Sequence, residues 1–234
     1  ADFRHYACGN FIASGLPQER LRCCAENSMT PAQQLAEGIA KLGLSMTPEQ
    51  EKRLLAYLDL IVKWNRVHNL TAIRDMSSMV SAHLLDSLAV APHLKGTTIL
   101  DIGSGGGLPG IPLAIIWPQA QITLLDSNQK KTAFLQQVKI ELALNNLHIV
   151  CARVEDWQTE KHFDLVISRA FSELPQFVSL AARFCNADGV LAAMKGAQAD
   201  EEIRRIPPDC TVQRVIDLDV PNLNAERHLV LIAP

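Results

Sequence analysis

The 234-residue chain has six cysteines but no C-x-x-C pair, and no cysteine pair is followed by histidines at zinc-ligand spacing. That removes the common zinc modules, and no metal site is expected. Cys151, Cys185 and Cys210 stand in or beside apolar segments, as buried thiols of a reducing compartment do. No stretch approaches the ~18 consecutive apolar residues of a membrane span. The first residues, "ADFRHYACGNF", lack the basic start and apolar run of a secretory signal. A soluble cytoplasmic protein with no membrane partner is therefore expected. A basic surplus is also missing: 22 Lys and Arg stand against 25 Asp and Glu, a net charge of −3. Nucleic-acid binding usually leaves a basic footprint, so here any such surface must be a local patch. What is present is ordinary for a globular protein, 48% hydrophobic and 20% charged. The length suits one α/β domain with a small addition.

Residues 1–28 carry no sustained helical or strand period, and their charges cancel. The native chain is expected to begin at Met29, with residues 1–28 a foreign or disordered extension. From there the grammar changes. "TPAQ" offers Thr30 as N-cap, Pro31 at the first helical position and Gln33 as capping-box partner. "TPEQ" at Thr47 to Gln50 repeats the signal, and Leu54, Leu58, Ile61 and Val62 follow at helical spacing. A third apolar helical pattern covers "MVSAHLLDSLAVAPHL", so residues 29–95 read as an N-terminal helical cap. From Gly96 to the end, seven short apolar runs appear, the early ones alternating with helical stretches. That pattern predicts βαβ units and a seven-stranded, mostly parallel, doubly wound sheet over residues 96–234. The last two runs are joined only by "PNLNAE", too short for a helical crossover, which predicts an antiparallel hairpin at one edge.

"ILDIGSGGGLPG" (Ile99 to Gly110) follows a predicted strand and opens a predicted helix, the setting that a cofactor loop requires. The register starting at Gly103 and Gly105 has Leu108 where a third glycine would fall; the one starting at Gly105 and Gly107 reaches Gly110. A tight turn without ligand is the plain alternative. Asp101, just before the first glycine, disfavours a pyrophosphate and favours a cofactor with a cationic end, such as S-adenosylmethionine; otherwise it is a turn residue bonding its own loop. Asp126 ends the second predicted strand, where an acid accepts from ribose hydroxyls or caps the next helix. Val154 and Glu155 follow the third strand, where an apolar residue beside an acid could cover and bond an adenine, or cap a helix. Arg169 ends the fourth, placed for a cofactor carboxylate, a substrate or a neighbouring acid. Phe171 is a core residue or a stacking surface for a base.

The resemblance lies in "KWNRVHNLT" (Lys63 to Thr71), "HLLDS" (His83 to Ser87), "DIGSGGGLPGIPLAI" (Asp101 to Ile115), "LLDS" (Leu124 to Ser127), "RVE" (Arg153 to Glu155), "ISRAF" (Ile167 to Phe171), "KG" (Lys195, Gly196) and "ERHLV" (Glu226 to Val230). On these motifs the chain resembles the bacterial small-subunit ribosomal RNA methyltransferase G family, also called glucose-inhibited division protein B. The resemblance implies a class I, Rossmann-like, S-adenosylmethionine-dependent methyltransferase with an N-terminal helical cap. It implies methylation at N7 of a guanine in 16S ribosomal RNA, in the 30S subunit, by a cytoplasmic, monomeric enzyme linked to streptomycin susceptibility. Cofactor contacts are implied at Gly103, Leu108, Val154, Glu155 and Arg169, with Asp101, Gly105 and Asp126 added from the reading of the loop and strand ends.

Guanine N7 carries a lone pair at neutral pH, so its methylation by in-line attack needs alignment and no general base. No catalytic base is therefore assigned. The slot after the fourth strand holds Ser168, Arg169, Ala170 and Phe171 rather than a motif suited to an exocyclic amine, consistent with N7. Candidate RNA contacts are Lys63, Arg66, His68 and Arg74, with Lys195, Arg227 and His228. Asn65 and Asn69, at i and i+4, would share a helix face and hold the cap on the catalytic domain.

Overall fold

The computed structural model describes residues 29–197, 199–208 and 210–234, so the reading of residues 1–28 lies outside the described residues. Two helices open the described chain in the same way. α1 (Pro31–Lys41) is capped by Thr30 and α2 (Pro48–His68) by Thr47, and in each the glutamine three residues on bonds back to the cap. Both capping boxes have the threonine hydroxyl accepting an N–H at 3.2 Å and the threonine N–H donating to the glutamine at 2.9 Å. Gln50 does more: its Nε2 donates to the carbonyls of Ile115 and Ile116 at 3.1 and 3.2 Å, tying the start of α2 to the segment that follows the glycine loop.

The third helical segment differs from its expected span. It begins at Met76, because Asp75 accepts from the Ser78 N–H at 2.7 Å and caps it. It runs as α3 (Met76–Met79), a π-helical stretch (Val80–Leu85) and α4 (Asp86–Leu88), then a separate 3₁₀ turn (Ala91–His93). Pro92 lacks the N–H that a continuing helix needs, so the helical pattern cannot run on to Leu94. π-helical turns are rare and cluster at functional sites, and this one abuts the site described below.

Seven strands follow: β1 (Thr98–Ile102), β2 (Gln121–Asp126), β3 (Leu147–Cys151), β4 (Phe163–Arg169), β5 (Cys185–Lys195), β6 (Thr211–Asp217) and β7 (His228–Ala233). Between them lie α5 (Gly110–Ile116), α6 (Gln129–Glu141), α7 (Leu174–Ala181) and α8 (Ala199–Ile203). The sheet order is β3-β2-β1-β4-β5-β7-β6, with β1 to β5 parallel and β7 antiparallel to both neighbours. This is a seven-stranded, mostly parallel Rossmann-like sheet. The short β6–β7 connection makes an antiparallel hairpin at one edge of the sheet, with β7 between β5 and β6 and β6 outermost.

The sheet is covered on both faces, and the period of two decides which residue goes where. Ile99, Leu165 and Ile167 join a core with α1, α2, α5 and α6, whereas Leu100, Ile102 and Val166 join a second core with α7. The first core is continuous from Leu35 through Tyr57 and Leu85 to Leu231, so the N-terminal helices share the sheet's core. Order reverses between β1 and β4: the chain leaves β1 toward β2 on one side and β4 toward β5 on the other. Open α/β sheets bind ligands at such a switch point.

Candidate active site

The glycine loop occupies that switch point. Gly103 and Ser104 both donate N–H groups to the Leu125 carbonyl, at 2.8 and 3.1 Å, folding the loop over the end of β2. Gly103 has φ +68, and a Cβ there would stand 2.6 Å from Phe171 Cδ2. Only glycine lets the loop and the Phe171 ring approach this closely. Gly110 begins α5 wedged against Leu124 and Asp101. A second support comes from α2: the buried Tyr57 donates its hydroxyl to the Gly106 carbonyl at 2.5 Å. Burial pushes the Tyr57 phenol far above its ordinary range, so it stays a donor at every relevant pH.

Two adjoining cavities meet at Gly103, Lys131 and Ala170. One, of about 500 Å³, lies over β2 and β3 and is lined by Asp126, Arg153, Val154, Glu155, Phe171 and others. The other, of about 530 Å³, lies over the β4–β5–β7 half and is lined by Thr71, His83, Asp86, Leu108, Arg169, Lys195 and Arg227 among others. The structure thus brings seven of the eight expected cofactor residues to the cavity walls: Gly103, Gly105, Leu108, Asp126, Val154, Glu155 and Arg169.

Asp101 is placed otherwise. It is wholly buried, lines neither cavity, and receives the Gly110 N–H on Oδ2 at 2.9 Å. Its other oxygen finds no hydrogen-bond partner among the described residues. Burial pushes its carboxyl up to about 7, against the pull of the Gly110 N–H and of Arg169 and with a push from Asp126. Asp126 is also turned onto backbone: Oδ2 accepts from Gly105 N–H and Oδ1 from Asn128 N–H, each at 2.8 Å. A carboxylate oxygen has further acceptor capacity, so Asp126 can shape the loop and still meet a hydroxyl in its cavity. Asn128, rather than Asp126, caps α6.

Arg169 is fixed by residues distant in sequence. Its Nη1 donates to the Ala82 carbonyl and to Asp86 Oδ2, both at 2.9 Å. Asp86, 2% exposed, also accepts from Arg227 Nε on its other oxygen at 2.9 Å. His83 is buried nearby, with Nε2 3.0 Å from the Thr71 hydroxyl; burial and the Arg169 charge hold its pKa below the ordinary value. On the adenine side of the expected site, Arg183 donates to the carbonyls of Val154 and Glu155 and stacks on Phe184. The sequence reading did not single out Tyr57, Asp86 or Arg183, and the motif HLLDS was the one trace of Asp86.

Several expected RNA contacts are engaged within the chain. Lys195 bonds Glu202 and the Ser172 carbonyl, each at 2.6 Å, and His228 bonds Asp217 at 2.8 Å. Asn65 does not share a face with Asn69. It is buried and clamps Thr71 by two hydrogen bonds of 2.9 and 3.0 Å, while Asn69 ends α2 in the left-handed conformation. Arg74 donates to the Asn65 carbonyl and the Asn69 side chain, bracing the same turn. Lys63 and Arg66 are exposed on α2. Among the described residues no cluster of His, Cys, Asp and Glu could hold a metal ion, and no helix is long and apolar enough to cross a membrane.

The family model described as rRNA small subunit methyltransferase G matches residues 50–230. A ribosomal RNA small subunit methyltransferase G from Laribacter hongkongensis is 52% identical over 202 residues, covering 86% of this chain and 98% of that protein. The Neisseria meningitidis serogroup A protein of the same name is 52% identical over 206 residues, covering 88% and 99%. Among solved structures, coclaurine N-methyltransferase bound to N-methylheliamine and SAH shares the fold, with a TM-score of 0.52, 11% identity, and coverage of 80% of this chain and 71% of that one.

Proposed function

Since the chain belongs to the rRNA small subunit methyltransferase G family, we propose that it transfers a methyl group from S-adenosylmethionine to N7 of a guanine in 16S ribosomal RNA. The observation that carries this reading is the pair of cavities meeting over Gly103. The residues present fit the cofactor. Gly103, Gly105 and Leu108 offer a backbone cradle in which a side chain at Gly103 would collide with Phe171. Asp126 and Glu155 offer acceptors for hydroxyl and amine groups, Val154 an apolar surface, and Arg169 a cation for a carboxylate. When bound, S-adenosylmethionine supplies a methyl on a sulfonium sulfur, which passes in line to a nucleophile and leaves a neutral thioether.

The chain's own task is alignment. Guanine N7 has its lone pair available, so no residue has to remove a proton before attack. Tyr57, Arg183 and Asp86 fix the loop, the Val154–Glu155 backbone and Arg169, and holding reacting groups in register is worth ~7–11 kcal/mol in favourable cases.

Two measurements test this together. S-adenosylmethionine should raise the melting temperature, as any ligand of the folded state does, and NAD should not. Labelled methyl groups should enter the RNA of 30S subunits from cells lacking the modification. Stabilisation by NAD alone would point to an oxidoreductase. Cofactor binding without methyl incorporation would point to a non-catalytic RNA-binding factor.

A further inference from the structure

The Asp86 carboxylate takes one arginine on each oxygen, Arg169 on Oδ2 and Arg227 on Oδ1, both at 2.9 Å. The three residues lie 83 and 141 positions apart in sequence, and all three line the larger cavity. The π-helical stretch before Asp86 brings the Ala82 carbonyl to the same Arg169 nitrogen, so that guanidinium is held at two points. Arg227 is held through Nε by Asp86 and through Nη1 by the Glu226 carbonyl. Its Nη2 has no partner among the described residues. Two guanidinium groups against one carboxylate leave one positive charge uncompensated at the cavity wall. The neighbouring Lys195 is instead neutralised by Glu202.

The sheet separates the two arginines by task. Arg169 ends β4, next to β1 and its glycine loop, within reach of the cofactor cradle. Arg227 directly precedes β7, beyond β5, on the half of the edge that carries no cofactor residue. The Arg227 side chain keeps 28% of its surface exposed, and a planar guanidinium is suited to recognition of a phosphate. We propose that Asp86 is a positioning residue that locks Arg169 and Arg227 into one clasp, and that Arg227 presents its outer N–H groups to a phosphodiester of the RNA at the nucleotide being methylated. This rests on the RNA reading above. Asp86 thereby couples the two sides of the site: Arg169 is oriented toward the cofactor and Arg227 toward the RNA by the same buried carboxylate.

The test uses the full chain with Arg227→Ala, Arg227→Lys and Asp86→Asn, and 30S subunits from cells lacking the modification. Initial rates are measured against subunit and salt concentration, S-adenosylhomocysteine affinity by calorimetry, and folding by melting temperature. Arg227→Ala should raise KM for subunits about tenfold or more, with kcat within about threefold, and should lower the slope of log KM against log salt by about 1, as loss of one phosphate contact does. Its affinity for S-adenosylhomocysteine should stay unchanged. Arg227→Lys keeps the charge but not the fork, and should raise KM by less than the Ala variant while leaving the salt slope unchanged. Asp86→Asn leaves one arginine facing an N–H₂ group, and should weaken both subunit and S-adenosylhomocysteine binding. Unchanged KM and salt slope in a folded Arg227→Ala protein would overturn the proposal, as would an equal loss of S-adenosylhomocysteine affinity. If Arg227→Ala does not fold, a Lys variant with unaltered KM would overturn it. If the unaltered chain transfers no methyl to the subunits, the RNA reading itself has failed and this proposal falls with it.

Discussion

Asp101→Asn isolates the cost of an acid buried under the glycine loop. In the folded chain burial raises the Asp101 carboxyl from 3.8 to about 7. Between those values the folded state holds a proton that the unfolded chain has released. The protonated acid's contribution to stability is therefore complete below about pH 4 and is lost as pH rises through about 7. Roughly three pH units at about 1.36 kcal/mol each make about 4 kcal/mol, an order-of-magnitude figure. Asparagine retains an acceptor for the Gly110 N–H, which lies 2.9 Å from Oδ2, and cannot titrate. Urea unfolding of both proteins at closely spaced pH values gives two stability curves. Their difference should move by about 4 kcal/mol in favour of the variant between pH 4 and pH 8, nearly all of it below pH 7.5. Parallel curves would refute the reasoning, because they would mean that Asp101 titrates alike in the folded and unfolded chain. The same pair of proteins reports on the cofactor. If the Asp101 charge attracts its cationic end, affinity should rise with pH through about 7 in the unaltered chain and not in Asp101→Asn.

Three further outcomes follow from the site. Gly103→Ala would add a Cβ at φ +68 and 2.6 Å from Phe171; it should fold with a strain of about 1–2 kcal/mol and bind S-adenosylhomocysteine at least about tenfold more weakly by calorimetry. Tyr57→Phe removes the donor to the Gly106 carbonyl; urea unfolding should show a loss of about 1–3 kcal/mol, and an unchanged midpoint would mean that the bond holds nothing in place. Arg183→Ala removes the hydrogen bonds to the carbonyls of Val154 and Glu155; stability should fall by about 1–2 kcal/mol and cofactor affinity should drop, and equal affinity would separate Arg183 from the site.

Local signals in the chain were legible where the physics is local. Thr30 with Gln33 and Thr47 with Gln50 start helices through bonds spanning three residues, so the sequence alone locates both starts. Alternating runs and helices give the strands, and the brevity of "PNLNAE" gives the hairpin. Where β7 sits is decided by pairing with β5, which no local pattern encodes. The site divides in the same way. Gly103, Asp126 and Val154 follow strand ends that must share one edge of a parallel sheet, so their convergence is readable. Asp86 and Arg227 meet across 141 residues, and Tyr57 reaches Gly106 across 49, through packing of helices whose sequence shows only a generic apolar face. Asp101 shows the opposite limit. Its position before the loop is evident, but only the fold reveals that its carboxylate turns inward to Gly110 instead of lining a cavity.

The acceptor atom is read directly from the methylated product. Labelled S-adenosylmethionine is incubated with the chain and with 30S subunits from cells lacking the modification, and the RNA is then digested to nucleosides and the labelled species identified. Label is expected in 7-methylguanosine of the 16S RNA. Label in a pyrimidine, on an exocyclic amine or in ribosomal protein would contradict it.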